Sequence, residues 1–102
     1  MNAYRLTSDA AQDLRDLWEY IAADNLDAAD QLGERLYRTF DQLAALPRMG
    51  HLRPDLAGDR PLLFWPMGAY LIIYRADRHP LEIVAITHGS RDIPTLLRRR
   101  QQ

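Results

Sequence analysis

The 102-residue chain contains no cysteine and no lysine. Without cysteine, disulfide scaffolds, zinc knuckles and thiol nucleophiles are excluded. Long apolar runs are also missing. The longest, Leu62 to Tyr74, is broken by Pro66 and Gly68 and is too short to span a bilayer. Charge appears by Arg5, ahead of any apolar stretch of signal-peptide length. These features predict a cytoplasmic protein without a membrane partner. His51, His79 and His88 stand far apart and give no metal-ligand spacing, so neither a metal nor a cofactor is expected.

The composition that remains is that of a folded domain. Hydrophobic residues make up 47% and charged residues 26%, which argues against disorder. The length predicts one domain over residues 1–102. The net charge of −1 does not suggest strong non-specific DNA binding. It hides an asymmetry: residues 1–47 carry nine acids and four arginines, whereas residues 48–102 carry nine arginines and five acids. All 13 cationic residues are arginine, a bias read as genomic composition rather than as a binding demand.

Hydrophobic spacing sets out the elements. Tyr4 and Leu6 share a face of a short extended piece. Ser8-Asp9 reads as a helix start, followed by an apolar stripe of Leu14, Leu17, Trp18 and Ile21. Asp27 opens a second helix, with Leu32, Leu36, Phe40, Leu43 and Leu46 on one face and Pro47 at its end. A short connection makes the two an antiparallel hairpin. Trp18, Leu32 and Phe40 are expected in the core. From Pro47 to Pro61, prolines and glycines predict a loop without a regular element. Strands follow at Leu62–Trp65, Ala69–Arg75 and Leu81–Thr87, separated by tight turns. The last two lack clean alternation, which suggests that both sheet faces are covered. Ser90 to Gln102 is expected to form a short, fraying helix. The predicted class is α+β, with the order β-α-α-β-β-β and a helical hairpin on a small antiparallel sheet.

Five features in this order resemble a known family. They are the element order, the Leu46-Pro47 helix end, the Gly50-His51-Leu52-Arg53-Pro54-Asp55-Leu56 segment, the Tyr70-Leu71-Ile72-Ile73-Tyr74-Arg75 strand, and Ile86-Thr87-His88-Gly89-Ser90-Arg91-Asp92. Together they resemble the RelE/ParE superfamily of toxins from type II toxin–antitoxin modules. The closing His-Gly-Ser-Arg-Asp and the Gly-His-Leu-Arg-Pro-Asp-Leu loop are most similar to the ParE branch. The resemblance implies a growth-inhibiting toxin of the plasmid-stabilisation type, bound by a ParD-like antitoxin in a hetero-oligomer. It implies DNA gyrase as the target, with the ribosome as the alternative.

The two targets ask for different chemistry. Ribosome-dependent mRNA cleavage needs an acid, a base and cations around one phosphate. His88, Asp55 and Arg53 are the candidates for that role. Ala69-Tyr70 lacks the arginine, and Gly89 stands in place of the tyrosine, that nuclease members carry; the lysine-rich loop is missing as well. The preferred reading is therefore a binding-type gyrase inhibitor without catalytic residues. Its candidate target- or partner-binding residues are Arg53, Arg60, Trp65, Arg75, His88, Arg91, Arg98, Arg99 and Arg100. A third reading is a degenerate toxin that acts only as an antitoxin-bound regulator. Several candidates also have structural readings. Arg53 and Asp55 would pair in the loop, Arg91 and Asp92 would pin the tail, His88 would be hydrogen-bonded, and Arg98-Arg99-Arg100 would be a solvated tail.

Overall fold

Thr7 turns the first strand into the first helix. Its hydroxyl accepts the Ala10 N–H at 3.1 Å, satisfying one of the helix's free N-terminal donors. The cap therefore lies one residue ahead of the expected Ser8-Asp9 start. The computed structural model describes residues 3–100; Met1, Asn2 and the Gln101-Gln102 end of the expected tail lie outside the described residues. Strand β1 covers Tyr4–Leu6, helix α1 Ser8–Ala22 and helix α2 Leu26–Ala45. Asn25 caps α2 by accepting the Ala28 N–H at 2.9 Å. Then come β2 (His51–Leu52), α3 (Pro54–Ala57), β3 (Leu63–Met67), β4 (Tyr70–Arg75), β5 (Leu81–His88) and α4 (Ile93–Arg99). None of the described helices is long and apolar enough to cross a membrane.

The loop expected from Pro47 to Pro61 thus contains β2 and α3. Elements of two and four residues are shorter than the periods on which pattern reading depends. Pro54 sits at the first turn of α3, where its missing N–H costs nothing.

The five strands lie in the order β1-β5-β4-β3-β2. The β5-β4 and β4-β3 pairs are antiparallel, as expected, and the unexpected β2 joins β3 antiparallel as well. The sheet is nevertheless mixed, because β1 runs parallel to β5. A parallel neighbour needs a long crossover, and the rest of the fold supplies it.

Between Ile73 and Tyr74 the register slips. Ile73 faces Ala85, but Tyr74 faces Ile83, so Val84 is an extra residue. Val84 and Ala85 both join the α3/α4 layer, whereas Ile83 and Ile86 join the helical-hairpin layer. The bulge explains why β5 reads as continuously apolar.

Both sheet faces are covered. Leu36, Phe40 and Leu43 of α2 meet Ile72, Tyr74 and Ile83 on one side. Ile93, Leu96 and Leu97 of α4 meet Phe64, Ile73 and Val84 on the other. Phe40 is buried as expected and Leu32 is partly buried. Trp18 departs from expectation at 38% exposed, and Leu46 stands exposed at the end of α2. Leu14 and Leu17 of the same stripe pack on the core, whereas Trp18 turns toward α2 and its indole N–H donates to Asp30 at 3.1 Å.

Candidate target- and partner-binding surface

The candidate arginines divide into those engaged inside the fold and those left outward. Arg100 donates to both carboxylate oxygens of Asp13, at 2.6 and 2.7 Å, and to the Val84 carbonyl at 3.3 Å. Its side chain is only 12% exposed, so it is not part of a solvated tail. The Asp13 carboxylate raises its pKa against the opposing effect of burial. Arg60 donates to the carbonyls of Leu97 at 2.9 Å and Arg100 at 3.2 Å. The Leu97 carbonyl also accepts the Arg100 N–H at 3.1 Å, so Arg60 adds a second donor there and fastens the end of α4. Arg75 makes a two-pronged pair with Asp77, at 3.1 and 2.9 Å. Arg60, Arg75 and Arg100 thus spend their donors holding the chain together.

Arg53 and Asp55 face solvent but bind each other, at 3.0 and 2.8 Å. The Arg53 hydrogen bond holds the Asp55 carboxyl below the usual carboxylate value. Asp55 has no hydrogen bond with His88. The strands that lead to them, β2 and β5, are separated by β3 and β4, three strand spacings or about 14 Å.

His88 ends β5 in a different setting. Its Nδ1 accepts the Ser90 N–H at 3.1 Å and lies 2.7 Å from the Ser90 hydroxyl. An accepting Nδ1 places the neutral ring's proton on Nε2. The Tyr70 ring meets the imidazole edge-on, 5.8 Å between centroids. His88, Arg91, Tyr20, Tyr70, Asp13 and Asp16 line an open cleft of about 290 Å³. Arg91 is exposed and has no acidic partner among the described residues. Asp92 does not pin the tail to the sheet; it caps α4 by accepting the Thr95 hydroxyl at 2.7 Å and its N–H at 3.3 Å. These bonds lower the Asp92 pKa, the hydroxyl contributing most. Arg98 and Arg99 are exposed on the last turn of α4.

This arrangement offers groups that can bind a partner. It offers an exposed imidazole in a fixed orientation, an unpaired guanidinium and two tyrosine rings. A family model described as "ParE toxin of type II toxin-antitoxin system, parDE" matches residues 4–93. The chain belongs to the ParE toxin family. A solved structure titled "Chromosomal ParDE TA system from P. aeruginosa" has the same fold, with a TM-score of 0.69 at 15% identity. The match covers 83% of this chain and 92% of that one. No curated protein matches in sequence. The chain is thus a toxin-family member of a type II toxin–antitoxin system, with an antitoxin as its partner.

In this ParE-family toxin, Trp65 is half-buried on β3 and packs against the hairpin-side core. It lines a separate cleft with Arg35, Arg38 and Gln42 of α2. Sequence reading missed Tyr20 and Tyr70 as companions of His88. Tyr70 was legible in principle, since a tight turn between β4 and its neighbours brings strand ends together. Tyr20, 80% exposed on α1, carried the signal of an aromatic residue off its helix's apolar stripe.

Proposed function

We propose that this toxin arrests growth by binding and poisoning DNA gyrase, and that a cognate ParD-like antitoxin neutralises it in a cytoplasmic hetero-oligomer. The observation that carries the reading is the cleft that His88 and Arg91 line together. Neither of these two candidates makes an ion pair among the described residues. The closing His88-Gly89-Ser90-Arg91-Asp92 segment, which resembles the ParE branch, forms one wall of that cleft. Arginine and tyrosine are the side chains that most often dominate protein interfaces.

The spacing of the acid–base candidates supports binding over hydrolysis. A general acid and a general base must both lie within about 3 Å of the groups they serve. His88 is tied to Ser90, and Asp55 is held by Arg53 on the far side of two strands. The ribosome-dependent nuclease is therefore the second choice.

Induced expression in cells distinguishes the readings. A gyrase poison causes chromosome breaks before message levels fall, and co-expressed antitoxin prevents both. A ribosome-dependent nuclease instead yields truncated messages with intact chromosomes. Normal growth with abundant folded protein supports the degenerate regulator.

A further inference from the structure

The cleft beside His88 holds charges of both signs, and the fold neutralises only some of them. Asp13 gives both carboxylate oxygens to Arg100 and also accepts the Ile86 N–H. Asp16 receives only the Gln12 side-chain amide, at 2.7 Å, and makes no ion pair among the described residues. Arg91 makes none either. An unpaired acid and an unpaired base therefore line one open space of about 290 Å³ without pairing with each other.

The acid stands on α1, one helical turn before Tyr20, so the two side chains are neighbours on one face. Tyr20 is 80% exposed, and at that exposure its ring adds little to the core. A carboxylate beside an open aromatic ring is a seat for a cation, which is attracted by both.

The base stands across the cleft, just after β5. The Arg91 N–H donates to the His88 carbonyl at 3.1 Å, closing a turn that brings the two residues together. The Ser90 N–H occupies the His88 Nδ1, so the free end of the neutral ring is its Nε2–H donor. Tyr70 meets that ring edge-on. A guanidinium beside a second donor is a seat for a carboxylate.

Two seats of opposite sign select the occupant. A nucleic-acid strand repeats one negative charge along its length and would set phosphates beside Asp16 as well as beside Arg91. A protein surface carries basic and acidic side chains next to each other, and interfaces match them sign to sign.

We infer that the cleft takes an acid–base pair of side chains from the target protein: an arginine or lysine against Asp16 and Tyr20, and an aspartate or glutamate against Arg91 and the His88 Nε2–H. The inference rests on the reading of this cleft as the target-contacting site. It adds Asp16 and Tyr20, from the acidic half of the chain, to the contact residues.

The test is binding of purified gyrase to the wild-type toxin, Asp16→Asn and Arg91→Ala, measured beside growth arrest in cells. Both side chains are exposed, so both variants should melt near the wild-type temperature. Each should bind gyrase about 10-fold more weakly, with the loss shrinking at high salt. The direction for Asp16→Asn is decisive. A protein acid–base pair loses a partner, whereas a nucleic-acid strand is freed from a repulsion, so tighter binding would overturn the inference. His88→Gln, whose amide reaches the Nε2 position, should hold gyrase better than His88→Asn; the reverse order would overturn the carboxylate seat. Unchanged gyrase affinity and growth arrest in Asp16→Asn would overturn the inference and leave the gyrase reading intact. A wild-type toxin that ignores gyrase, with growth arrest still weakened in both variants, would remove gyrase as the target and support the inference. Antitoxin binding weakened in both variants, with growth arrest unchanged, would assign the cleft to the antitoxin and also overturn it.

Discussion

Asp13 and Arg100, 87 positions apart, form a two-pronged ion pair at 2.6 and 2.7 Å. Asp13 also accepts the Ile86 N–H at 3.0 Å. Strand β1 ends its pairing near Ile83, so β5 runs beyond its neighbour. The Asp13 carboxylate occupies part of that open edge and fastens the end of α4 to it. One side chain therefore joins α1, β5 and the C-terminal segment.

Asp13→Ala should accordingly lower stability by about 3 kcal/mol, because it leaves a largely buried guanidinium with only the exposed Asp9 carboxylate, 3.9 Å away. Arg100→Leu should cost less, since Asp13 keeps its bond to Ile86 and no unpaired cation remains. Urea denaturation of the single and double variants measures this. A double variant less damaged than the sum of the singles confirms the coupling.

Tyr74 and Gly50 form a second joint. The Tyr74 hydroxyl accepts the Gly50 N–H and donates to the Pro47 carbonyl, both at 2.8 Å. Tyr74→Phe should cost about 1–3 kcal/mol by leaving both backbone groups unsatisfied. Gly50→Ala should also destabilise, because its methyl group would lie 2.5 Å from the hydroxyl. In the Tyr74→Phe background that second cost should shrink, a difference that denaturation midpoints will show.

The perturbed groups set both ends of the pH profile. Asp55, Asp77 and Asp92 have folded pKa values below the ordinary aspartate value of 3.8, owing chiefly to hydrogen bonds from Arg53, Arg75 and Thr95. Their contribution is present above the unfolded value and is lost as pH falls through the lower folded values. Tyr74 behaves oppositely: burial raises it above 10.0, against the Gly50 hydrogen bond. Its contribution is complete below 10.0 and is lost as pH rises through the folded value. Denaturation from pH 2 to 11 should show both limbs. Asp92→Asn should flatten the acid limb, and Tyr74→Phe the alkaline one.

The arginines should separate by function. Arg91→Ala and His88→Ala should weaken growth arrest and target binding while leaving the melting temperature nearly unchanged. Arg60→Ala should lower the melting temperature, because it removes the guanidinium that ties the Leu97 and Arg100 carbonyls to the preceding loop. Melting curves measured beside growth assays check this division.

Much of the fold was legible in the sequence. The stripe from Leu36 through Phe40 to Leu43 marks the buried face of α2, and the unalternating apolar runs of β4 and β5 signal a sheet covered on both sides. Trp18 misled because periodicity places a residue on a face without saying where the covering layer stops. The parallel β1–β5 pairing and the Val84 bulge depend on partners distant in sequence. Guanidinium chemistry was equally ambiguous: Arg60 and Arg100 look like any cation until the carbonyls and carboxylate they hold come into view. His88 and Arg91 were legible as candidates because they close the last strand in a recognisable segment, but Tyr20 and Tyr70 join them only in three dimensions.

The most direct measurement is DNA supercoiling by purified gyrase with increasing amounts of this toxin, with and without its antitoxin. The account predicts inhibition with accumulation of cleaved DNA, relief by antitoxin, and a weaker effect for Arg91→Ala. Unchanged supercoiling and cleavage in the presence of a folded toxin that still arrests growth would contradict it.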